Sequence, residues 1–142
     1  MPKWLTTDAA RAFEVAEREA RLRRQAVGTP HLLLGLLDDD AGRPAEVLRS
    51  MGFSVRQVRY EAARKLGSKA KKPSRRRPLQ SDRVTEAFER ARHEAAKRGR
   101  SRVEPEDVLL ALVAESGGKA ASILAKLRPA PQGDPGMVSA AL

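Results

Sequence analysis

Few residues in this 142-residue chain have the type and spacing for chemistry. It has no cysteine, which excludes disulfides and thiolate metal sites. Its two histidines, His31 and His93, leave little for a transition metal. His31 follows Thr29-Pro30, and no Ser, Cys or carboxylate at a telling spacing makes it one half of a nucleophile–base pair. It reads as a helix-start residue facing a neighbour, with a general base as the other role open to it. Asp38-Asp39-Asp40 could attract a cation, but the run lacks the alternating ligands and bidentate Glu of a calcium loop; a solvated helix end is the alternative. Gly118-Lys119 precedes Ala120 where a phosphate-binding loop needs Ser or Thr, and that motif's upstream glycine is Val113. No metal, no cofactor and no enzymatic activity are expected.

What remains is recognition by charge and by one aromatic residue. The net charge is +10, from 28 Lys and Arg against 18 Asp and Glu, which invites an acidic partner. Six of those positive charges lie in residues 67–78, with no acid among them and prolines at 73 and 78. Such a stretch is expected to be an extended, mobile linker. It could also hold nucleic acid through counterion release, although it has no interleaved aromatics for base stacking and no recognition helix is evident. Trp4 belongs to a residue type enriched at binding hot spots; it either anchors a partner or folds back on the core.

The elements that must position these residues occur twice. Ala9, Ala12, Phe13, Ala16 and Ala20 recur at helical spacing, and Val84, Ala87, Phe88, Ala91 and Ala95 repeat them at an offset of 75. Val27 to Leu48 matches Val103 to Leu124 at an offset of 76. Thr6 and Ser81 read as N-caps of the two first helices. Glu14–Arg18 and Glu17–Arg21 have the favourable i,i+4 order. Thr29-Pro30 and Glu104-Pro105 lead into apolar second helices, with Thr29 as the first one's cap. A short helix spans Pro44 to Met51, and Ser54 caps a fourth that Gly67 closes. In the second copy a short helix spans Lys119 to Leu127. The run Arg128 to Gly136 is too rich in Pro and Gly for a counterpart of the fourth helix, and Met137 to Leu142 allow only a turn or two.

The fold class is therefore all-α: a pseudo-twofold tandem repeat of two four-helix units, about eight helices, with the second unit truncated at its last helix. One domain covers 1–142, divided into repeat one (5–66), a basic linker (67–78), repeat two (79–127) and a Pro/Gly-rich tail (128–142). The longest apolar run, Leu32 to Leu37, is too short to span a membrane. No apolar leader core follows Met1-Pro2-Lys3-Trp4, so a cytoplasmic location is expected.

Val27-Gly28-Thr29-Pro30-His31-Leu32-Leu33-Leu34-Gly35-Leu36-Leu37, after an Ala-rich helix ending Glu19-Ala20, resembles the Clp N-terminal repeat, which occurs in tandem in ClpA/ClpC-type unfoldases. The resemblance covers residues 5 to about 127. It implies a helical double repeat that docks protein substrates, degrons, adaptors or Clp subunits, here as a stand-alone module without a motor. In the ClpC branch a Glu at each apolar helix start and a Thr capping each first helix resemble a phosphoarginine-binding pair. The first Glu falls on Pro30, although Thr6 is kept; the second falls on Glu106, with Ser81 as its cap. The resemblance thus implies one site, at Ser81 and Glu106, to which Arg100 and Arg102 of the preceding loop add positive charge. Alternatively, Glu106 only complements its helix dipole. Some members bind cyclic peptides beside aromatic residues; those positions match Pro2 and Gln80, neither of them aromatic, with Trp4 nearby. The rival class is a basic helical nucleic-acid-associated protein.

Overall fold

The computed structural model describes residues 2–129. Seven helices follow one another: α1 (Thr7–Leu22), α2 (Thr29–Leu36), α3 (Arg43–Ser50), α4 (Val55–Leu66), α5 (Asp82–Lys97), α6 (Pro105–Ala114) and α7 (Lys119–Leu127). The first four make one unit and the last three its pseudo-twofold mate. The expected turn at Met137 to Leu142 lies outside the described residues. Among the described residues nothing corresponds to α4 in the second unit. Leu110 is 40% exposed there, while its counterpart Leu34 packs against the core.

Both alanine stripes face inward. Ala9, Phe13, Ala16 and Ala20 of α1 are buried, as are Val84, Ala87, Phe88, Ala91 and Ala95 of α5. Phe13 and Phe88 occupy equivalent positions and meet edge to face across the pseudo-twofold axis, with ring centroids 5.3 Å apart. Thr6 and Ser81 cap as expected: each hydroxyl accepts an amide hydrogen bond three residues on, from Ala9 (3.1 Å) and Val84 (3.3 Å). Small residues set how closely the helices approach. A Cβ on Gly35 of α2 would lie 2.2 Å from the Ala12 carbonyl oxygen, so the α1–α2 crossing requires glycine. The second unit has Ala111 at that position, where a methyl group is accommodated and buried.

The two units are joined by short parallel backbone pairs that cross between them. Leu5 pairs with Val103, where Thr6 N–H donates to Val103 O (3.1 Å) and Val103 N–H to Trp4 O (2.7 Å). Val27 pairs with Gln80 in the symmetric way: Val27 N–H donates to Leu79 O (2.7 Å) and Ser81 N–H to Val27 O (2.9 Å). Each cap of a first helix therefore stands beside the start of the other unit's second helix.

Three local expectations change. Gly28, not Thr29, occupies the N-cap of α2. Thr29 is buried, and its hydroxyl accepts the Ala120 amide at the start of α7, 91 residues away (3.1 Å). Neither expected i,i+4 pair of α1 forms: Glu14 and Arg18 stay apart, and the Glu17 carboxylate reaches Arg77 instead of Arg21 (2.8 Å). That contact belongs to the third change, because the basic segment is strapped against the end of α1. Ala70 and Ser74 donate backbone hydrogen bonds to Leu22 O (2.8 Å) and Arg21 O (2.9 Å). The Arg24 guanidinium donates to the carbonyls of Lys72 and Pro73. Arg24 has φ of 56°, a left-handed conformation that its counterpart Gly99 (φ 74°) adopts without a side-chain clash. The grip on the strap accompanies that strain.

Gly35→Ala is expected to destabilise the fold by about 1–3 kcal/mol through overpacking against the α1 backbone. Ala111→Gly, its mirror substitution, should cost only about 0.5–1 kcal/mol of helix propensity. Urea unfolding of both variants checks the asymmetry, and equal losses would show that the two crossings are alike.

Candidate functional site

Glu106 sits in the first turn of α6, where unpaired amides and the helix dipole favour a carboxylate. Its side chain is 21% exposed and meets Arg43 of α3 (3.4 Å). Arg43 also reaches Glu46 (3.1 Å). The two carboxylates hold the Arg43 guanidinium firmly in its charged form, with the Glu106 hydrogen bond as the larger cause. Glu106 and Arg43 line an open groove of about 390 Å³ at the junction of the two units. Asp8, Arg11, Ala12 and Val15 of α1 form one wall, and Gly35, Asp38 and Asp39 close its far end.

The crossed backbone pairing decides which cap belongs to this groove. Because Leu5 pairs with Val103, the start of α1 after Thr6 adjoins Glu104 and Glu106. Ser81 instead stands beside Val27 and the start of α2, where Pro30 replaces the acid. Ser81 and Glu106 thus stand at different junctions, and the cap beside the start of α6 is Thr6. The signal for the crossed arrangement, two mutually pairing β-like residues before each helix, is too short to read from sequence.

The loop arginines are placed differently from expectation. Arg100 turns to Asp107, binding both carboxylate oxygens at 2.7 Å, and is committed there. Asp107 is 6% exposed and also accepts the Glu104 amide (2.8 Å), which caps α6. Burial pushes the Asp107 carboxyl up, but Arg100, the Glu104 amide and the nearby Arg98 charge together hold it below the usual range. Asp107, missed as a functional group in the sequence, is thus the residue that shapes this helix start. Arg102 stays exposed, and its carbonyl accepts from Arg100 (3.5 Å).

Trp4 folds back. It packs against the core with its ring 6.1 Å from Phe88, edge to face, and the Arg92 guanidinium 5.0 Å above it. Pro2, Trp4 and Gln80 line one pocket of about 200 Å³ floored by Phe13 and Phe88. Gln80 donates to the Thr85 hydroxyl at its rim (2.8 Å).

His31 serves the fold. Its Nδ1 accepts the Gly28 amide (2.9 Å), so in the neutral ring the proton is on Nε2 and is donated to Gln25 Oε1 (2.9 Å). Gln25 in turn donates to Leu66 O (2.9 Å), which links the end of α1, the start of α2 and the end of α4. Burial, with the neighbouring Arg23 charge, lowers the His31 pKa to about 4. Asp38-Asp39-Asp40 closes α2, with Asp39 Oδ1 accepting the Ala41 amide (2.9 Å) and Asp40 near Arg49 and Arg59. Among the described residues no three His, Asp or Glu side chains could hold a metal ion, and no single helix is long and apolar enough to cross a membrane.

The sequence model of the Clp repeat N-terminal domain matches residues 4–127. A chaperone protein ClpB of Oceanobacillus iheyensis is 33% identical over 127 residues, covering 86% of this chain and 15% of the relative. A chloroplastic chaperone protein ClpC of Pisum sativum is 32% identical over 123 residues, covering 86% of this chain and 13% of the relative. The chain thus spans about one-seventh of the curated relatives it matches. The crystal structure of the N-terminal domain of ClpD, a caseinolytic-protease-associated chaperone from Arabidopsis thaliana, superposes with a TM-score of 0.65 at 27% identity, covering 88% of this chain and 87% of that one.

Two outcomes are expected of the groups around α2 and α6. Neutral His31 is required by the fold, so the unfolded chain binds a proton that the folded chain refuses. Stability should be constant above pH ~6.5 and fall by up to about 3 kcal/mol as pH drops to about 4. Urea midpoints across that range should show the slope, and His31→Gln should flatten it. Arg100→Ala leaves a buried carboxylate short of its partner and is expected to cost about 1–3 kcal/mol by the same assay.

Proposed function

The chain belongs to the Clp repeat N-terminal domain family, and on that premise we propose that it is a non-catalytic docking module of the Clp protease and chaperone system. Its cargo is protein: substrates, degrons or adaptors, which it delivers, competes for or sequesters. The observation that carries this reading is the open groove where the units meet, walled by α1 and by the start of α6, with Glu106 and Arg43 at its mouth. The relatives are chaperones and a protease's ATP-binding subunits, which gives no support to a nucleic-acid-associated protein.

The finer proposal concerns a modified arginine on that cargo. Phosphoarginine joins a guanidinium cation to a phosphate, so its receptor needs an acid beside anion-binding donors. Glu106 is the acid. The ligand guanidinium displaces Arg43 from it, and Arg43, with Arg11 across the groove, then faces the phosphate. The unpaired amides after Thr6 lie on the same side and favour an anion. Repeat one offers no second site, because Pro30 has neither the charge nor an amide hydrogen.

Calorimetric titration with free phosphoarginine tests the site. One site per chain is expected, and Glu106→Ala should remove measurable binding, since losing a hydrogen-bonded charge partner costs about 2–5 kcal/mol. Ser81→Ala should keep the affinity while lowering stability by about 1 kcal/mol through the lost cap. Unchanged affinity in Glu106→Ala overturns the site. The broader docking reading is tested with one chemically unfolded protein, before and after arginine phosphorylation; binding to neither form overturns it.

A further inference from the structure

A second groove runs along the other half of α1. It has a volume of about 660 Å³, with the outer face of α1 on one side and the strap of residues 75–78 on the other. Arg11, Glu14, Arg18 and Arg21 fall on a single helical stripe by their spacing and line its floor. Arg75 and Arg77 line the opposite wall. Arg77 is neutralised by Glu17 (2.8 Å). Arg18, Arg21 and Arg75 are exposed and, among the described residues, make no ion pair and no side-chain hydrogen bond. Glu14 is the one acid on the floor without a partner among the described residues.

These like charges are held together by the backbone. Ala70 and Ser74 tie the strap to the end of α1, and Arg24, in its left-handed conformation, clamps the carbonyls of Lys72 and Pro73. A solvated linker would separate its cations; this one presents them across a fixed gap. The gap is therefore ordered before any ligand arrives, which removes much of the entropy cost of binding.

We propose that this groove docks an acidic segment of a polypeptide, rich in Asp and Glu, laid along α1. Planar guanidinium groups pair carboxylates through two parallel hydrogen bonds, and three of them are uncommitted here. The groove meets the Glu106 groove at Arg11 and Val15, which line both, so one extended chain can pass from one to the other. This continuity favours protein over nucleic acid. A uniformly anionic strand leaving the basic groove in that direction meets Asp8, Asp38, Asp39, Glu104 and Glu106, and no aromatic side chain lines the basic groove for base stacking. The inference rests on the docking reading above and names the chemistry of one part of the docked chain.

The test is fluorescence anisotropy with a short labelled peptide of Asp, Glu and Gly. A single-stranded oligothymidylate of equal charge is the competitor probe. Wild-type protein should bind the peptide, less tightly as salt rises. The variant Arg18→Ser/Arg21→Ser/Arg75→Ser, altered only at exposed positions, should unfold normally and bind about tenfold more weakly. Undiminished binding by the triple variant, or tighter binding of the oligothymidylate than of the peptide, overturns the proposal. So does an absence of peptide binding by a preparation that still binds free phosphoarginine, a result that leaves the Glu106 site standing. Peptide binding without any phosphoarginine binding supports the basic groove and removes the Glu106 site instead.

Discussion

The crossed backbone pairs, Leu5 with Val103 and Val27 with Gln80, constrain everything else in this molecule. Each is only a residue long, yet each fixes the chain just before a helix start. A helix start is where unpaired amides gather and where caps and first-turn acids act. By exchanging these segments between units, the fold places the cap of α1 beside the first turn of α6, and the cap of α5 beside the first turn of α2. The two junctions are symmetric in backbone and different in chemistry. One has Glu106 and Asp107; the other has Pro30 and His31.

Around that frame the two units diverge in how tightly they close. Gly35 lets α2 sink so close to the α1 backbone that no side chain fits, while α6 accommodates Ala111 at the equivalent position. The first unit then adds a relay with no counterpart among the described residues of the second: Arg23 to the Gly67 carbonyl, Gln25 to the Leu66 carbonyl and His31 to Gln25. The relay joins three helix termini and buries a neutral imidazole. Thr29 carries it across to α7. Repeat one is thus the fastened half and repeat two the half whose last described helix depends on it.

Charge follows the same division of labour. Arg100 and Arg23 are spent on structure, one stapling α6 through Asp107 and the other the end of α1 through Glu19 and Gly67. Arg43 is held at a groove mouth by two carboxylates, Glu46 and Glu106. Arg18, Arg21 and Arg75 face solvent across a gap the backbone keeps open. A net charge of +10 therefore does not describe one diffuse surface. Some of its cations are already paired, and three more are set apart along the α1 groove.

The sequence by itself determined the helices, their doubling and most of the core. Helical periodicity and capping act within a few residues, so the stripes Ala9 to Ala20 and Val84 to Ala95, and the caps Thr6 and Ser81, were readable from spacing alone. The family resemblance, too, lay in a local motif, Val27 to Leu37. Tertiary structure decided what meets across long separations. Thr29 reads as a cap and instead serves Ala120; Glu17 reads as an i,i+4 partner and instead holds Arg77; the basic run reads as a mobile linker and is strapped to α1. Ser81 and Glu106 share a repeat but face different junctions, because which cap meets which helix start is set by strand exchange between units. No local propensity encodes that exchange: it is settled only when the two apolar faces pack and the chain ends before each helix find their partners.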